Sequence, residues 1–177
     1  MLIGDKSRFA VQFEVLEHQT HWVFGKFCYW ADSLMIGDYD IGASLGVGTS
    51  SVEWVASTRG KKYEPALFRA PADLAFASIY NPIYGGPADD LVHIERGEER
   101  LALFRATPEG FDVFDGWIAF LVESPRADRL LWRQVRCDGR SAVRECYLEH
   151  GEFFDVLDAY VEHISRTTAY GKREQAP

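Results

Sequence analysis

RFAVQFEV at residues 8–15 and HWVFGKFCYW at residues 21–30 decide the fold of this chain. In the first stretch, Phe9, Val11, Phe13 and Val15 alternate with the other side chains, and this period of two predicts a half-buried strand over Arg8–Val15. The second stretch is rich in aromatic and branched residues, which favour strands. A polar turn at residues 17–20 makes the two stretches an antiparallel hairpin.

The second strand carries rings on both of its faces. Trp22, Phe24 and Trp30 fall on one face, while Phe27 and Tyr29 fall on the other. Large apolar side chains on both sides predict a central strand that is covered on both sides.

Glycines and prolines punctuate the middle of the chain. After Gly37, Gly42, Gly46 and Gly48, the pattern predicts a helix over Thr49–Thr58 that ends near Gly60, with Trp54 and Val55 facing inward. A second helix is predicted over Pro71–Ile79, because proline suits a first helical turn, and Asn81-Pro82 is expected to close it. Residues 82–90 are predicted to form a loop.

The second half of the chain predicts four strands at residues 100–106, 116–123, 128–135 and 142–148. Turns at Ser124–Ala127 and Asp138-Gly139 connect the last three as a meander. Residues 116–123 are apolar on both faces, so this strand is predicted to be interior.

The sequence closes with its most regular helix pattern, over Gly151–Arg166. One face of that helix carries Phe153, Leu157, Tyr160, Val161 and Ile164. The elements together predict an α+β domain spanning residues 1–166, in which an antiparallel twisted sheet, from an N-terminal hairpin and a C-terminal meander, packs against two or three helices. Residues 167–177 are predicted to form a polar tail.

Composition limits the classes of function. The chain has 177 residues, 47% of them hydrophobic, and a net charge of -8, which is unfavourable for binding nucleic acid. Neither a signal peptide nor a membrane-spanning run stands out, and three cysteines do not suggest a disulfide framework, although Cys137 and Cys146 could pair. We therefore expect a cytoplasmic protein that does not bind membranes.

Motifs for catalysis, cofactors or metals are weak. The glycines of Gly46–Ser51 resemble a phosphate loop but lack its lysine and a preceding strand, so we interpret them as a flexible helix entry. His18 and His21 do not have metal-ligand spacing with Cys28. A cluster of acids at residues 89–99 is interpreted as a solvated loop. We predict no catalytic residues, cofactor or metal.

Two acidic features are candidates for binding a partner. Glu152, Asp155, Asp158 and Glu162 line one side of the closing helix and are named here the acidic stripe. The stripe could meet a basic protein surface, or it could be a solvated helix face. Asp38, Tyr39 and Asp40 lie between Gly37 and Gly42, where they could contact a partner or form an Asp-mediated turn.

Several short motifs resemble the bacterial immunity protein 42 family. They are Gly4-Asp5, Arg8-Phe9-Ala10, Gly25-Lys26-Phe27-Cys28-Tyr29-Trp30 and Ile36-Gly37-Asp38-Tyr39, followed more weakly by Phe114–Trp117 and Gly151-Glu152-Phe153. Gly42-Ala43-Ser44-Leu45 is similar to a family position usually written Gly-Thr-Ser-Leu, and the glycines at 46 and 48 are a departure from it.

The resemblance implies a non-enzymatic antitoxin that binds and occludes a secreted polymorphic toxin. Its partner would be a toxin domain encoded by a neighbouring gene, and the net charge of this chain favours a basic one. The alternative is a small-ligand-binding or hydrolytic α+β domain that uses the acidic loop residues.

Overall fold

The computed structural model describes residues 1–19, 22–87, 91–92, 94, 98–135 and 141–173, and it has the predicted α+β class. The strands are β1 (Leu2–Gly4), β2 (Phe9–Gln19), β3 (Trp22–Ala31), β4 (Leu34–Ile36), β5 (Ala43–Ser44), β6 (Trp117–Glu123), β7 (Ala127–Gln134) and β8 (Arg144–Glu149). The helices are α1 (Leu45–Ala56), α2 (Pro65–Arg69), α3 (Ala72–Tyr84), α4 (Glu98–Leu101) and α5 (Glu152–Arg173).

The chain forms two compact units, and each is assembled from separate segments. The first unit contains Met1–Ser57, Pro108–Asp115 and Phe153–Pro177, and the second contains Thr58–Thr107 and Gly116–Glu152. The predicted hairpin therefore belongs to one sheet and the predicted meander to another.

The first sheet is antiparallel, in the order β1-β2-β3-β4, with β5 also paired to β3. The strand predicted over Arg8–Val15 is confirmed, with Phe13 directly opposite Phe27. The prediction of a turn at residues 17–20 is wrong for Glu17–Gln19, which continue to pair with β3 beyond a bulge at Leu16. The bulge inserts one residue and so preserves the pairing after the alternation is interrupted.

Aromatic rings fill the interior of the first unit. Phe9 packs on Phe153 with ring centroids 4.6 Å apart, and Phe13 meets Tyr160 edge-on at 5.1 Å. Helix α5 thus lies against the face of the first sheet that bears Phe9, Phe13 and Phe27, which we call the core face. The apolar side predicted for this helix is confirmed, but the helix continues to Arg173 instead of ending at Arg166.

Helix α1 begins at Leu45 and includes the glycines that were interpreted as a flexible entry, so that interpretation is wrong. A Cβ at Gly48 would lie 2.4 Å from the Phe111 ring, which shows that this glycine permits close packing. Val55 is buried as predicted. Trp54 is 43% exposed, so its predicted inward orientation is wrong, because neighbouring helical residues point about 100° apart.

Gly25 of β3 pairs with Val15 of β2 and lies beside Leu45 of α1. A Cβ at this position would stand 1.9 Å from the Glu14 carbonyl oxygen and 2.7 Å from Leu45 Cδ1. No side chain fits between these atoms, so glycine is required by space alone.

The second sheet has the order β6-β7-β8, which confirms the predicted meander. The Ser124–Ala127 turn is confirmed by the Ser124 N–H, which donates to the Ala127 carbonyl at 3.0 Å. Strand β6 is buried as predicted, although it lies at the edge of its ladder. Single bridges from Tyr63 and Arg105 cover that edge.

The prediction of a strand over residues 100–106 is wrong. The chain forms α4 and then a 3-10 helix over Ala102–Phe104, which places Leu101 and Phe104 in the core of the second unit. Leu101 and Phe104 are three residues apart and therefore share one side of a helical turn, whereas neighbours three apart in a strand would point to opposite faces.

Helix α3 passes through Asn81-Pro82, so the prediction that this pair closes it is wrong. Pro82 lies in the last turn, where its missing N–H removes the bond that the Ser78 carbonyl would accept and leaves the earlier turns intact. The helix ends at Gly85, whose φ of +80° is accessible to glycine.

Two buried basic side chains link separate segments of the second unit through hydrogen bonds to backbone carbonyls. Arg129, 2% exposed, donates from Nη1 to the carbonyls of Leu67, Phe68 and Ala70 at the end of α2 and pairs with Glu145 at 2.6 Å. Lys62, 0% exposed, donates from Nζ to the carbonyls of Leu103 and Arg105. Burial lowers the pKa of Lys62 to about 7, against the opposing effect of the Glu123 carboxylate.

Candidate protein-interaction site

The second face of the first sheet, opposite the core face, carries a row of exposed apolar side chains. By register, Trp22, Phe24, Lys26, Cys28 and Trp30 of β3 point to this side, because Val23, Phe27 and Tyr29 point to the core. We call this side the open face. Its exposed apolar residues are Leu2, Trp22, Phe24 and Met35.

At the start of β3, the open face carries a pair of stacked rings. The Trp22 and Phe24 ring centroids lie 6.3 Å apart with an interplanar angle of 17°, and the residues are 52% and 40% exposed. The sequence assigned both rings to the correct face, but the prediction that this face is covered is wrong. Large rings left in water are typical of surfaces that bind other proteins.

Nearer the other end of β3, the open face is ordered by polar contacts. The Trp30 indole N–H donates to Gln12 Oε1 at 2.9 Å, and Lys6 Nζ lies 3.8 Å from the centre of the Trp30 ring. These contacts restrain the indole, and a restrained side chain loses little entropy on binding.

The loop at Asp38, Tyr39 and Asp40 borders the open face. Lys26 Nζ lies 3.6 Å from Asp40 Oδ1 and 5.5 Å from the Tyr39 ring centre. The Asp40 N–H donates to Asp38 Oδ1 at 3.0 Å, so the Asp-mediated turn is present. The Asp38 and Asp40 side chains are nevertheless exposed, which leaves both readings of this loop compatible with its geometry.

The acidic stripe is less uniform than its spacing suggests. Glu152 Oε2 accepts the Glu149 N–H at 3.0 Å, and Glu162 pairs with Arg166 one turn later. Asp155 and Asp158 are exposed. The Arg166 guanidinium offsets the charge of Glu162, so the net charge of this helix face is smaller than the four carboxylates alone indicate.

The structure separates the two sets of predicted partner-binding residues. Asp155, Asp158 and Glu162 lie on the outside of α5, which covers the core face of the first sheet. Tyr39 and Asp40 contact Lys26, on the open face. Asp155, Asp158 and Glu162 therefore lie on one side of the first sheet, and Tyr39 and Asp40 border the other.

The open face offers no evident chemistry of its own. Burial raises the pKa of the Cys28 thiol to about 12, so the nucleophilic thiolate is not formed near neutral pH. Among the residues that the structure describes, no group of three or more His, Cys, Asp and Glu side chains could hold a metal ion. His150 lies in the second unit, with Nδ1 3.1 Å from Asp128 Oδ1.

An open cleft of about 600 Å³ lies in the second unit. Tyr63, Phe68 and Tyr147 supply rings, and Arg69 and Arg126 supply charge. Neither Asp38 nor Asp40 lines this cleft.

Several sequence predictions lie outside the described residues. They are the turn at Asp138-Gly139, the pairing of Cys137 with Cys146, the ring positions of His21 and His93, and the acidic cluster at residues 89–99, whose side chains are not described.

The motif resemblance extends over nearly the whole chain. The model of immunity protein 42 matches residues 1–163. The chain belongs to the immunity protein 42 family. This family match includes all of the open face, the Asp38–Asp40 loop and the acidic stripe. No curated protein sequence matches the chain.

A solved structure supports the fold. The crystal structure of CdiI from Burkholderia dolosa aligns with a TM-score of 0.70 and 21% identity, covering 92% of this chain and 99% of that one. At this identity the likeness concerns the fold. In the described part of this family member, no helix is long and apolar enough to cross a membrane.

The exposure of Trp22 and Phe24 was missed because strand periodicity assigns faces but does not say which face is covered. A signal was available in the alternation of these rings with Val23 and Gly25. Small residues on one side permit a helix to pack closely there, and the rings then point away from it.

Proposed function

We propose that this chain is a non-enzymatic immunity protein that binds a polymorphic toxin and blocks it by covering its working surface. The observation that carries this proposal is the family match over residues 1–163. The fold shared with CdiI from Burkholderia dolosa is consistent with it. Occlusion needs only a stable scaffold and a complementary surface of roughly 800 Å² per partner.

Charge supports a basic toxin domain as the partner. The chain has a net charge of -8, and exposed carboxylates occur at Asp38 and Asp40 and at Asp155 and Asp158. Opposite charge on a toxin would accelerate association, which matters when a few toxin molecules enter a cell. We propose that such a surface is met by one of two sets of residues: Asp38, Tyr39 and Asp40, or the acidic stripe of Glu152, Asp155, Asp158 and Glu162.

The alternative, a small-ligand-binding or hydrolytic domain built on the acidic loop, receives less support. Asp38 accepts a backbone N–H of its own loop, and Asp40 lies beside Lys26. Carboxylates used in this way stabilise a turn, and the described cleft is lined by other residues.

Coexpression tests the proposal. The chain is expressed with the toxin domain encoded by the adjacent gene, and we expect growth to be restored and the two proteins to copurify as a complex. A toxin of unrelated sequence is the control and should remain lethal. Failure to restore growth, together with no complex between the purified proteins, would contradict the proposal.

A further inference from the structure

The open face combines features that are each common in protein interfaces. Four exposed apolar side chains, from Leu2, Trp22, Phe24 and Met35, lie on one side of one sheet. Tryptophan and other aromatic residues contribute most to the affinity of typical interfaces. A sheet presents them on a backbone fixed by ladder hydrogen bonds, so little order has to be gained on binding.

The dimensions of the open face match a partner protein. Strand β3 has ten residues. Strand β2 has 11 residues, β1 and β4 have three each, and β5 has two. At about 3.4 Å per residue and about 4.8 Å between strands, the five strands cover roughly 470 Å². Specific protein complexes bury roughly 800 Å² on each partner, so this face supplies more than half of such a contact and the adjoining loop extends it.

Acidic side chains surround the rings. Glu14 and Glu17 lie on the β2 side of Phe24, and both are exposed. Asp38 and Asp40 border the opposite side of the face, where Lys26 is already engaged with Asp40 and Tyr39. Exposed rings flanked by acidic side chains are complementary to an apolar patch bordered by lysine and arginine.

We propose that the open face, with Trp22 and Phe24 as its main apolar contacts, is the surface with which this protein binds the toxin. The inference rests on the proposed function and selects between the two sets of partner-binding residues. The Asp38–Asp40 loop is part of the contact, and the acidic stripe, on the opposite side of the first sheet, is not. The toxin presents an apolar patch bordered by basic residues.

The test measures the affinity of the purified chain for the toxin domain encoded by the adjacent gene. The variant Trp22→Ala/Phe24→Ala removes the stacked rings, and we expect the Kd to rise by roughly 100-fold, as for loss of central interface residues. Trp54→Ala is the matched control, because Trp54 is 43% exposed in the same unit but belongs to α1. Its Kd should change by less than about threefold.

The acidic stripe is tested in parallel with Asp155→Lys/Asp158→Lys, for which we expect an almost unchanged Kd. If this variant loses binding while Trp22→Ala/Phe24→Ala retains it, the inference is overturned and the proposed function stands. If the wild-type chain does not bind the toxin, the proposed function itself fails and takes the inference with it. A wild-type dimer that dissociates on ring removal without any change in toxin affinity would assign the face to a second copy of this chain and overturn the inference.

Hydroxyl-radical footprinting of the unaltered protein avoids any effect of substitutions on folding. We expect oxidation of Trp22 and Met35 to fall in the toxin complex while oxidation of Trp54 is unchanged. Protection of Trp54 without protection of Trp22 would contradict the inference.

Discussion

The two units of this protein stabilise their interiors in different ways. In the first unit, aromatic rings pack against one another. The centroid of the Phe27 ring lies within 6 Å of the ring centroids of Tyr29, Phe111, Phe114 and Tyr160. The second unit also has an apolar core, but it encloses ionisable groups as well: Lys62, Glu123, Asp128 and Arg129 are all buried. Each of these side chains bonds to backbone groups of a neighbouring segment.

This difference predicts two kinds of sensitivity. Ring packing depends on shape, so the first unit should respond most to added volume and hardly at all to pH. Buried ionisable groups exchange hydrogen bonds to water for hydrogen bonds to protein groups. The stability of the second unit should therefore fall when such a group is removed and should vary with pH. The following five substitutions test this contrast, beginning with the largest expected effect.

Gly25→Ala in the first unit should cause the largest loss, about 4 kcal/mol of unfolding free energy, because its Cβ collides with the Glu14 carbonyl. Urea denaturation measures the loss. Gly42→Ala is the control, since a Cβ at Gly42 has no neighbour within 4 Å, and its effect should be small. Equal stability of the two variants would contradict the prediction and would show that β2 and β3 can move apart to accommodate a Cβ at residue 25.

Arg129→Met in the second unit should cost about 3 kcal/mol, because it leaves the α2 carbonyls without their donor and removes the partner of Glu145. Arg126→Met, at an exposed arginine, provides the comparison in the same denaturation series. A loss no greater than that of Arg126→Met would contradict the fastening role of the buried guanidinium.

Lys62→Met should cost about 2 kcal/mol at pH 7, since the Leu103 and Arg105 carbonyls lose their donor. Its pH dependence is more specific. Between pH 7 and 9 the unfolded chain keeps the lysine proton and the folded chain does not, so wild-type stability relative to the variant should rise with pH, by at most about 1.4 kcal/mol per unit. Parallel pH profiles for the two proteins would show that the Lys62 amine is not pH-sensitive in this range.

Two glycines of α1 give the smallest and most discriminating effects. Gly46→Ala should stabilise the protein by roughly 0.5 kcal/mol, because alanine favours a helix and the site is open. Gly48→Ala should destabilise it by about 1–2 kcal/mol through the Phe111 ring. Thermal unfolding compares them, and two shifts of the same sign would contradict the role assigned to shape.

Local patterns were sufficient for elements whose burial is regular. The alternation over residues 8–15, the meander and the apolar side of α5 were all predicted, because each repeats with a single period. The errors occurred where one residue has two readings. Leu101 and Phe104 fit a strand as well as a helical turn, and Pro82 suggests the end of a helix but is tolerated within its last turn.

The candidate site was predicted in part, for a physical reason. Charge and loop position can be read from a sequence, so Asp38, Asp40 and the acidic stripe could be named. Whether Trp22 is covered depends on the face of the first sheet against which α5 packs, and that packing involves residues more than a hundred positions away. The buried states of Lys62 and Arg129 are equally non-local, since their partners come from other segments of the chain.

The discontinuous first unit has a consequence for biosynthesis. The rings of Phe9 and Phe13 emerge early from the ribosome, but Phe153 and Tyr160, which pack against them, are added only after more than a hundred further residues. Until α5 has been synthesised, the nascent hairpin exposes aromatic rings on both of its faces. Under the proposed function, protection against a toxin would therefore require complete chains, and we expect a chain truncated before α5 to expose these rings and to aggregate.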